Sequence, residues 1–337
     1  SSKSTWLLSL EIVTGAMVSI MVVVVALLAA ANRRPSIVMP WKKSDFARML
    51  LFFFADSELL KDVVKYSRHE LEAACEDFSN IIGSFPDSLL VYKGTLKGGP
   101  EIAVVSLGIA EERWADVRFE KEVADLARLK HENVGRLVGY CREKEDPFAR
   151  MLVFEYASNG TLYEHLHYEE ACQFSWTRRM KIIQGIARGI KYLHAELDPP
   201  FAISHLSSTS VYLTDDFSPK LVDFNCWKTA VSKSSMVYDL GILLLEIISG
   251  RTPGSIVDWA KEFLESPEEV VESVVDPQVK QFRRGDVGVI REVVKQCLLH
   301  PDAADVAELC SMIESGIEIS VSAEIRASSL AWADLVL

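Results

Sequence analysis

From Ile12 to Ala31 the chain runs for 20 residues without a charged side chain, IVTGAMVSIMVVVVALLAAA. At about 1.5 Å per residue a helix of that length crosses a hydrocarbon core of about 30 Å. The run is therefore predicted to be a transmembrane helix. It exceeds the usual apolar core of a secretory signal, few positive charges precede it, and Asn32, Arg33 and Arg34 follow at once. Arg33, Arg34, Lys42, Lys43 and Arg48 lie after the span, against Lys3 and Glu11 before it, so the positive-inside rule puts everything past residue 34 in the cytosol. The expected location is the cell membrane, crossed once, with a cytosolic C-terminal domain. The same basic residues suit anionic lipid headgroups, at roughly 1 kcal/mol each close to the surface, although a stop-transfer signal is enough to account for them.

The remainder is long enough, within 337 residues that are 49% hydrophobic and 25% charged, for one large core or two small ones. A formal net charge of -12 argues against a nucleic-acid partner, which would demand a basic face. Cys75, Cys141, Cys172, Cys226, Cys297 and Cys310 stand far apart with no CxxC pair, and read as reduced, mostly buried thiols. The chain begins at Ser1 and not at methionine, which leads to the expectation of a processed or clipped product.

Between Ile203 and Asn225 the chain reads ISHLSSTSVYLTDDFSPKLVDFN. Its pattern predicts a tight loop, a short strand at Val211 to Leu213, a turn at Asp215-Asp216, a second strand at Lys220 to Val222, then Asp223-Phe224-Asn225. Upstream, YSRHELEAACEDFSNIIG places Leu71, Ala74, Cys75 and Phe78 at helical spacing before a strand at Ile81. Strands are expected around Glu101 to Leu107 and Met151 to Glu155, with a helix between them. Thr161 and Glu164 form a capping box for the next helix. Trp176 to His194 reads as a core helix with Met180, Ile183, Ile186, Ala187 and Ile190 on one face. Met236 to Ser249 is apolar nearly all round and closed by Gly250, as a buried central helix would be.

The passage at Tyr66 to Gly83, the VYKGTL that follows at Val91, and the VYLTDDF and KLVDF segments together resemble the leucine-rich-repeat receptor-like kinases of plants, from about residue 66 to residue 320. The resemblance implies a two-lobed α+β protein-kinase fold, β-rich in the small lobe and helical in the large one, preceded by one transmembrane helix. The implied layout is an extracellular remnant at 1–11, the span at 12–31, a basic juxtamembrane segment at 32–65, the N-lobe at 66–153, the C-lobe at 154–320 and a tail at 321–337. It also implies a leucine-rich-repeat region upstream of Ser1.

Laid on that family, the chemistry is degenerate. The general base falls at His205, the phosphate-binding cation of the loop at Ser207, the metal-binding amide at Ser210 and the strand lysine at Val105. Glu122 stands where the partner of that lysine belongs. After Gly83 the expected glycines are replaced by SFPDSLL, in which Pro86 has no amide hydrogen to offer a phosphate. Phe154, Glu155 and Ala157 match the hinge, and Asp223 is kept as a vestigial metal ligand. Met236 replaces the aspartate that braces the catalytic loop. The Ala-Pro-Glu anchor is missing between Asn225 and Met236, and Ala303 stands in place of the late arginine that would pair with it.

The expected protein is thus a receptor-like pseudokinase that works by binding a co-receptor or an active kinase, with ATP and magnesium bound weakly or not at all. An atypical, weakly active serine/threonine kinase using His205 as base is the competing reading. A degenerating folding unit is a third.

Overall fold

A computed structural model describes residues 60–319 apart from 86–88, 108–115, 144–148, 169–173, 202, 204, 223, 225–232 and 266–272, together with Val13. The predicted span at Ile12 to Ala31, Val13 excepted, the basic segment after it and the tail at 321–337 lie outside the described residues. Among those described, no helix is long and apolar enough to cross a membrane. The chain divides into Ser1–Asp56 and Ser57–Leu337, and the elements below belong to the second unit.

The small lobe is a six-stranded sheet built from β1 (Val64–Tyr66), β2 (Ile81–Phe85), β3 (Leu89–Thr95), β4 (Glu101–Ser106), β5 (Leu137–Glu143) and β6 (Ala149–Glu155), in the order β1-β5-β6-β4-β3-β2. Side chains alternate across a strand, so register decides which residues share a face. Val91 lies opposite Val105, Val105 opposite Leu152, and Ala103 opposite Phe154. These five line one face and join the large core, where helix α2 (Asp116–Ala127) adds Phe119 and Val123. Ile102, Val104, Met151 and Val153 line the other face, which Leu71 and Cys75 close. Burial on both faces explains why these strands read as apolar runs without polar alternation.

The cover of that second face comes from helix α1 (Arg68–Ala74), started by a capping box in which Glu70 N–H donates to Ser67 Oγ at 3.2 Å and Ser67 N–H to Glu70 Oε2 at 2.7 Å. The helical spacing had carried this element on to Phe78. In the structure it stops at Ala74, and Glu76, Asp77 and Phe78 all take positive φ, at 52°, 56° and 56°. That conformation costs roughly 1–2 kcal/mol per residue. It turns the Phe78 ring onto Tyr92, centroids 4.9 Å apart, with Arg68 over its face.

Strand β1 pairs parallel with β5, Val64 opposite Gly139. Glycine is required at 139, because a Cβ there would lie 2.6 Å from the Val64 carbonyl oxygen and closer still to the Tyr66 ring. Gly139→Val is therefore expected to lift β1 off the sheet at a cost of about 1–3 kcal/mol. Hydrogen exchange would show it as faster exchange of Val64 to Tyr66 with the remaining strands unchanged. Unaltered protection there would contradict the packing.

In the large lobe, α3 (Leu162–His167) starts at the expected Thr161–Glu164 box and α4 (Trp176–Lys191) buries the expected face. The winding loosens into one π turn at Tyr192–Glu196, so the regular helix ends before His194. His194 is half-buried, and burial pushes its imidazole pKa down, as suits a packing residue. Strands β7 (Val211–Leu213) and β8 (Pro219–Leu221) form a hairpin, the second shifted one residue from the expected Lys220 to Val222. Helix α5 (Lys233–Ser249) runs through the core and ends at Gly250, φ 65°. Around it lie α6 (Pro253–Glu265), α7 (Arg284–Leu299) and α8 (Val306–Gly316). Burial raises the thiols of Cys75 to about 11 and of Cys141, Cys297 and Cys310 to about 12, so these four are inert packing residues. Cys172 and Cys226 lie outside the described residues.

Candidate functional site

The loop that leads into β7 carries the three positions where transfer chemistry would sit, and two of them bond to each other. Ser207 N–H donates to Ser210 Oγ at 3.0 Å, and that hydroxyl donates back to the Ser207 carbonyl at 2.8 Å. The Ser207 and Thr209 hydroxyls are 2.8 Å apart. The short hydroxyl arms thus close on their own backbone, a habit of serine in tight turns. His205 is exposed.

Beneath the loop, Ser208 Oγ donates to Glu246 Oε1 at 2.6 Å, and His167 Nε2 lies 2.8 Å from the same oxygen. Burial pushes the Glu246 carboxyl above its ordinary range, against the opposing hydrogen bonds from Ser208 and His167. One turn beyond Met236, Asp239 stands beside His205 and accepts the Leu206 N–H, its carboxyl raised by burial. Met236 itself is 1% exposed in the apolar core. Met236 therefore offers the loop no carboxylate, and Asp239, one turn on, is the α5 acid that lies near His205 and Leu206. Sequence reasoning missed both acids, although Asp239 and Glu246 are seven residues apart on one face of an otherwise apolar helix, a spacing that could have exposed them.

On the small-lobe side, Val105 is 0% exposed, between Val91 and Leu152. Glu122, on α2, is half-buried. Gly83 belongs to β2 opposite Val91, and Phe85 pairs with Leu89, so only 86–88 are left for the hairpin turn. Ser84, Phe85, Leu89 and Leu90 of the SFPDSLL stretch are thus strand residues, and 86–88 lie outside the described residues. Glu155 meets Lys220 Nζ at 2.7 Å and the Arg136 N–H at 3.0 Å, and Ala157 is buried. Phe154 packs edge-on against Phe224, centroids 5.6 Å apart, and Phe224 against Tyr212 at 5.7 Å.

Asp223 and Asn225 lie outside the described residues. Among those described, no three His, Cys, Asp or Glu side chains gather to hold a metal ion. An ATP–magnesium pair does not fit the groups present: the strand position is a sealed valine, and the two loop positions are uncharged serines whose hydroxyls are engaged within the loop, Ser210 with the Ser207 backbone and Ser207 with Thr209. No transfer step is derived through it.

A family model of protein tyrosine and serine/threonine kinases matches residues 89–234. A probable LRR receptor-like serine/threonine-protein kinase of Arabidopsis thaliana is 52% identical, over 100% of this chain and 57% of that one. That alignment takes 384 positions, so the relative carries residues that this 337-residue chain lacks. An inactive receptor-like serine/threonine-protein kinase of the same plant is 36% identical over 77% of this chain and 56% of its own length. The chain spans little more than half of either relative. Among solved structures, the pseudokinase drought responsive inactive kinase 1, bound to ENMD-2076, is similar with a TM-score of 0.68 and 37% identity, covering 76% of this chain and 97% of that one. The lobes and these likenesses agree: the chain belongs to the leucine-rich-repeat receptor-like kinases of plants and is similar to their inactive members, the pseudokinases.

Proposed function

We propose that the chain is a membrane-anchored receptor-like pseudokinase that signals by protein contact, docking a co-receptor or an active kinase and shifting that partner's conformational balance. The observation that carries this reading is the loop's own hydrogen bonding: the Ser210 hydroxyl is held by the Ser207 backbone and the Ser207 hydroxyl by Thr209, at two of the positions where a metal-binding amide and a cation would be needed. Electrostatic stabilisation supplies most of the catalysis of phosphoryl transfer, and Val105, Ser207 and Ser210 bring no charge to it. Only the ten residues 226–235 stand between Asn225 and Met236, and at about 3.6 Å each at most they can cross the lobe but not build a platform for a protein substrate as well. The span at Ile12 to Ala31 would anchor the chain, with the pseudokinase unit in the cytosol. Asn159, the one residue here within a glycosylation sequon, donates its amide to the Thr214 carbonyl at 2.7 Å and so has a structural use on that side.

The whole chain in detergent micelles, titrated with ATP and magnesium and followed by thermal shift and fluorescent nucleotide, is expected to give no saturable change at millimolar ATP. A magnesium-dependent rise in Tm would sink this reading and restore the weakly active kinase.

A further inference from the structure

The sheet face formed by Val91, Ala103, Val105 and Phe154 looks toward the hairpin of β7 and β8. In a cleft open to a ligand these side chains would be partly accessible, yet Val91 is 1% exposed, Ala103 2% and Phe154 3%. All belong to one apolar cluster with Leu213, Val222 and Phe224, against which Tyr156 and Tyr212 also pack. Along β7, Val211 and Leu213 are fully buried, and Tyr212, between them, points the other way. Its ring rests on Phe224, whose other neighbour is Phe154, and its backbone bridges Thr161 just past the hinge. Burial pushes the Tyr212 hydroxyl to about 12, with Glu164 and Tyr156 adding to the shift.

The hinge end of the same space is held shut. Lys93, two residues after Val91 and on the same face of β3, places Nζ 2.8 Å from Glu101 and 4.7 Å over the Tyr156 ring. The Tyr156 N–H reaches the Glu101 carbonyl at 3.4 Å. This ties the roof strands to the hinge by an ion pair and a cation–π contact. Such surroundings, apolar above and aromatic on two sides with a cation over one ring, suit a flat π-rich group and offer nothing to a phosphate.

We propose that Tyr212 is a built-in occupant of the interlobe cleft: its ring fills the place of a flat heteroaromatic such as a purine base, and the site takes such a ligand, without help from a phosphate tail, only once that ring is removed. This rests on the reading above that phosphates find no partner here. It adds that the space for the base is filled and not lost. The closed cleft would then be the resting shape that a partner meets, with no nucleotide needed to hold it.

The test compares the parent chain, Tyr212→Phe and Tyr212→Leu, each whole and in detergent, with adenosine as the probe. Leucine keeps β7 apolar and opens the space of a ring, whereas phenylalanine keeps it filled. Tyr212→Leu is expected to show a saturable rise in Tm with adenosine, half-complete in the millimolar range or tighter, and no greater with ATP and magnesium. The parent and Tyr212→Phe should show none. A folded Tyr212→Leu that ignores adenosine, or a parent that responds equally, overturns the proposal. A parent that responds to ATP with magnesium but not to adenosine overturns instead the phosphate-blind reading it rests on. If Tyr212→Leu does not fold alone, adenosine or p-cresol in the refolding mixture should restore a folded chain by refilling the space, and failure of both to do so counts against the plug.

Discussion

Replacing Val105 by lysine, the residue an active kinase would carry there, is expected to unfold the small lobe long before it restores any chemistry. The site is 0% exposed, with Val91 and Leu152 on the neighbouring strands. An ammonium forced into such a place has its pKa lowered by roughly 3–5 units, and the part of that shift lying above pH 7 amounts to about 4–5 kcal/mol at neutral pH. A whole domain is stable by only about 5–15 kcal/mol. The native state would bind fewer protons than the unfolded one, so the deficit should shrink as pH rises toward the ordinary lysine value of about 10.4. Val105→Met, similar in bulk and uncharged, separates the charge from the volume. If urea melts show Val105→Lys as stable as Val105→Met at pH 7, Glu122 has paired with the new cation and the sealed-core description fails.

Turnover would not follow even from a stable lysine. His205→Asp would set a second carboxylate beside Asp239, which already bonds the Leu206 N–H, and two like charges at one place drive one of them to protonate. Ser210→Asn would break the bond with Ser207 and leave that backbone N–H to find another acceptor. Catalytic groups that act as a unit do not return one at a time. The triple variant should therefore label itself with ATP no faster than the parent.

Much of this was legible beforehand because it depends on local pattern. The capping box at Thr161, the buried face of Trp176 to Ile190, the apolar α5 with its terminal Gly250 and the paired apolar strands each follow from spacing over a few residues. His205, Ser207, Ser210 and Val105 were named by laying the chain on the family's pattern; the structure puts Ser207 and Ser210 in one tight turn and Val105 inside β4. What sequence could not give were facts made by tertiary contact. Phe78 kept helical spacing, but the helix ends at Ala74 and the Phe78 ring packs on Tyr92, a tertiary contact that spacing does not show. Met236 sat in the brace position, yet the acid near the loop is one turn on, at Asp239. Tyr212 looked like any strand residue until the rings of Phe224 and Phe154 were seen beside it. The π turn after Lys191 had no sequence signal that periodicity could detect.

Asp276→Ala is expected to be the most damaging single change in the large lobe. Arg179, on α4 and 4% exposed, sets Nη2 2.6 Å from Asp276 Oδ2 and donates from Nη1 to the Ile247 carbonyl at 2.7 Å and from Nε to the Phe174 carbonyl at 3.2 Å. Asp276 in turn accepts the Gln278 N–H at 2.9 Å, and a side chain at Gly250 would collide with it. The pair therefore fastens α4, the end of α5 and the segment after α6 at one point. Removing the carboxylate strands a guanidinium in the core, a loss of about 3–5 kcal/mol, or roughly 6–20 °C in Tm for a unit of this size. The double variant Arg179→Met, Asp276→Leu should recover most of that loss, because a buried ion pair contributes little over apolar side chains of similar volume. A double-mutant cycle measured in urea reads the coupling directly. Asp276→Ala losing less than about 1 kcal/mol, the range of an exposed pair, or a double variant as unstable as the sum of its parts, would show that Arg179 is held by its carbonyl bonds and not by the charge.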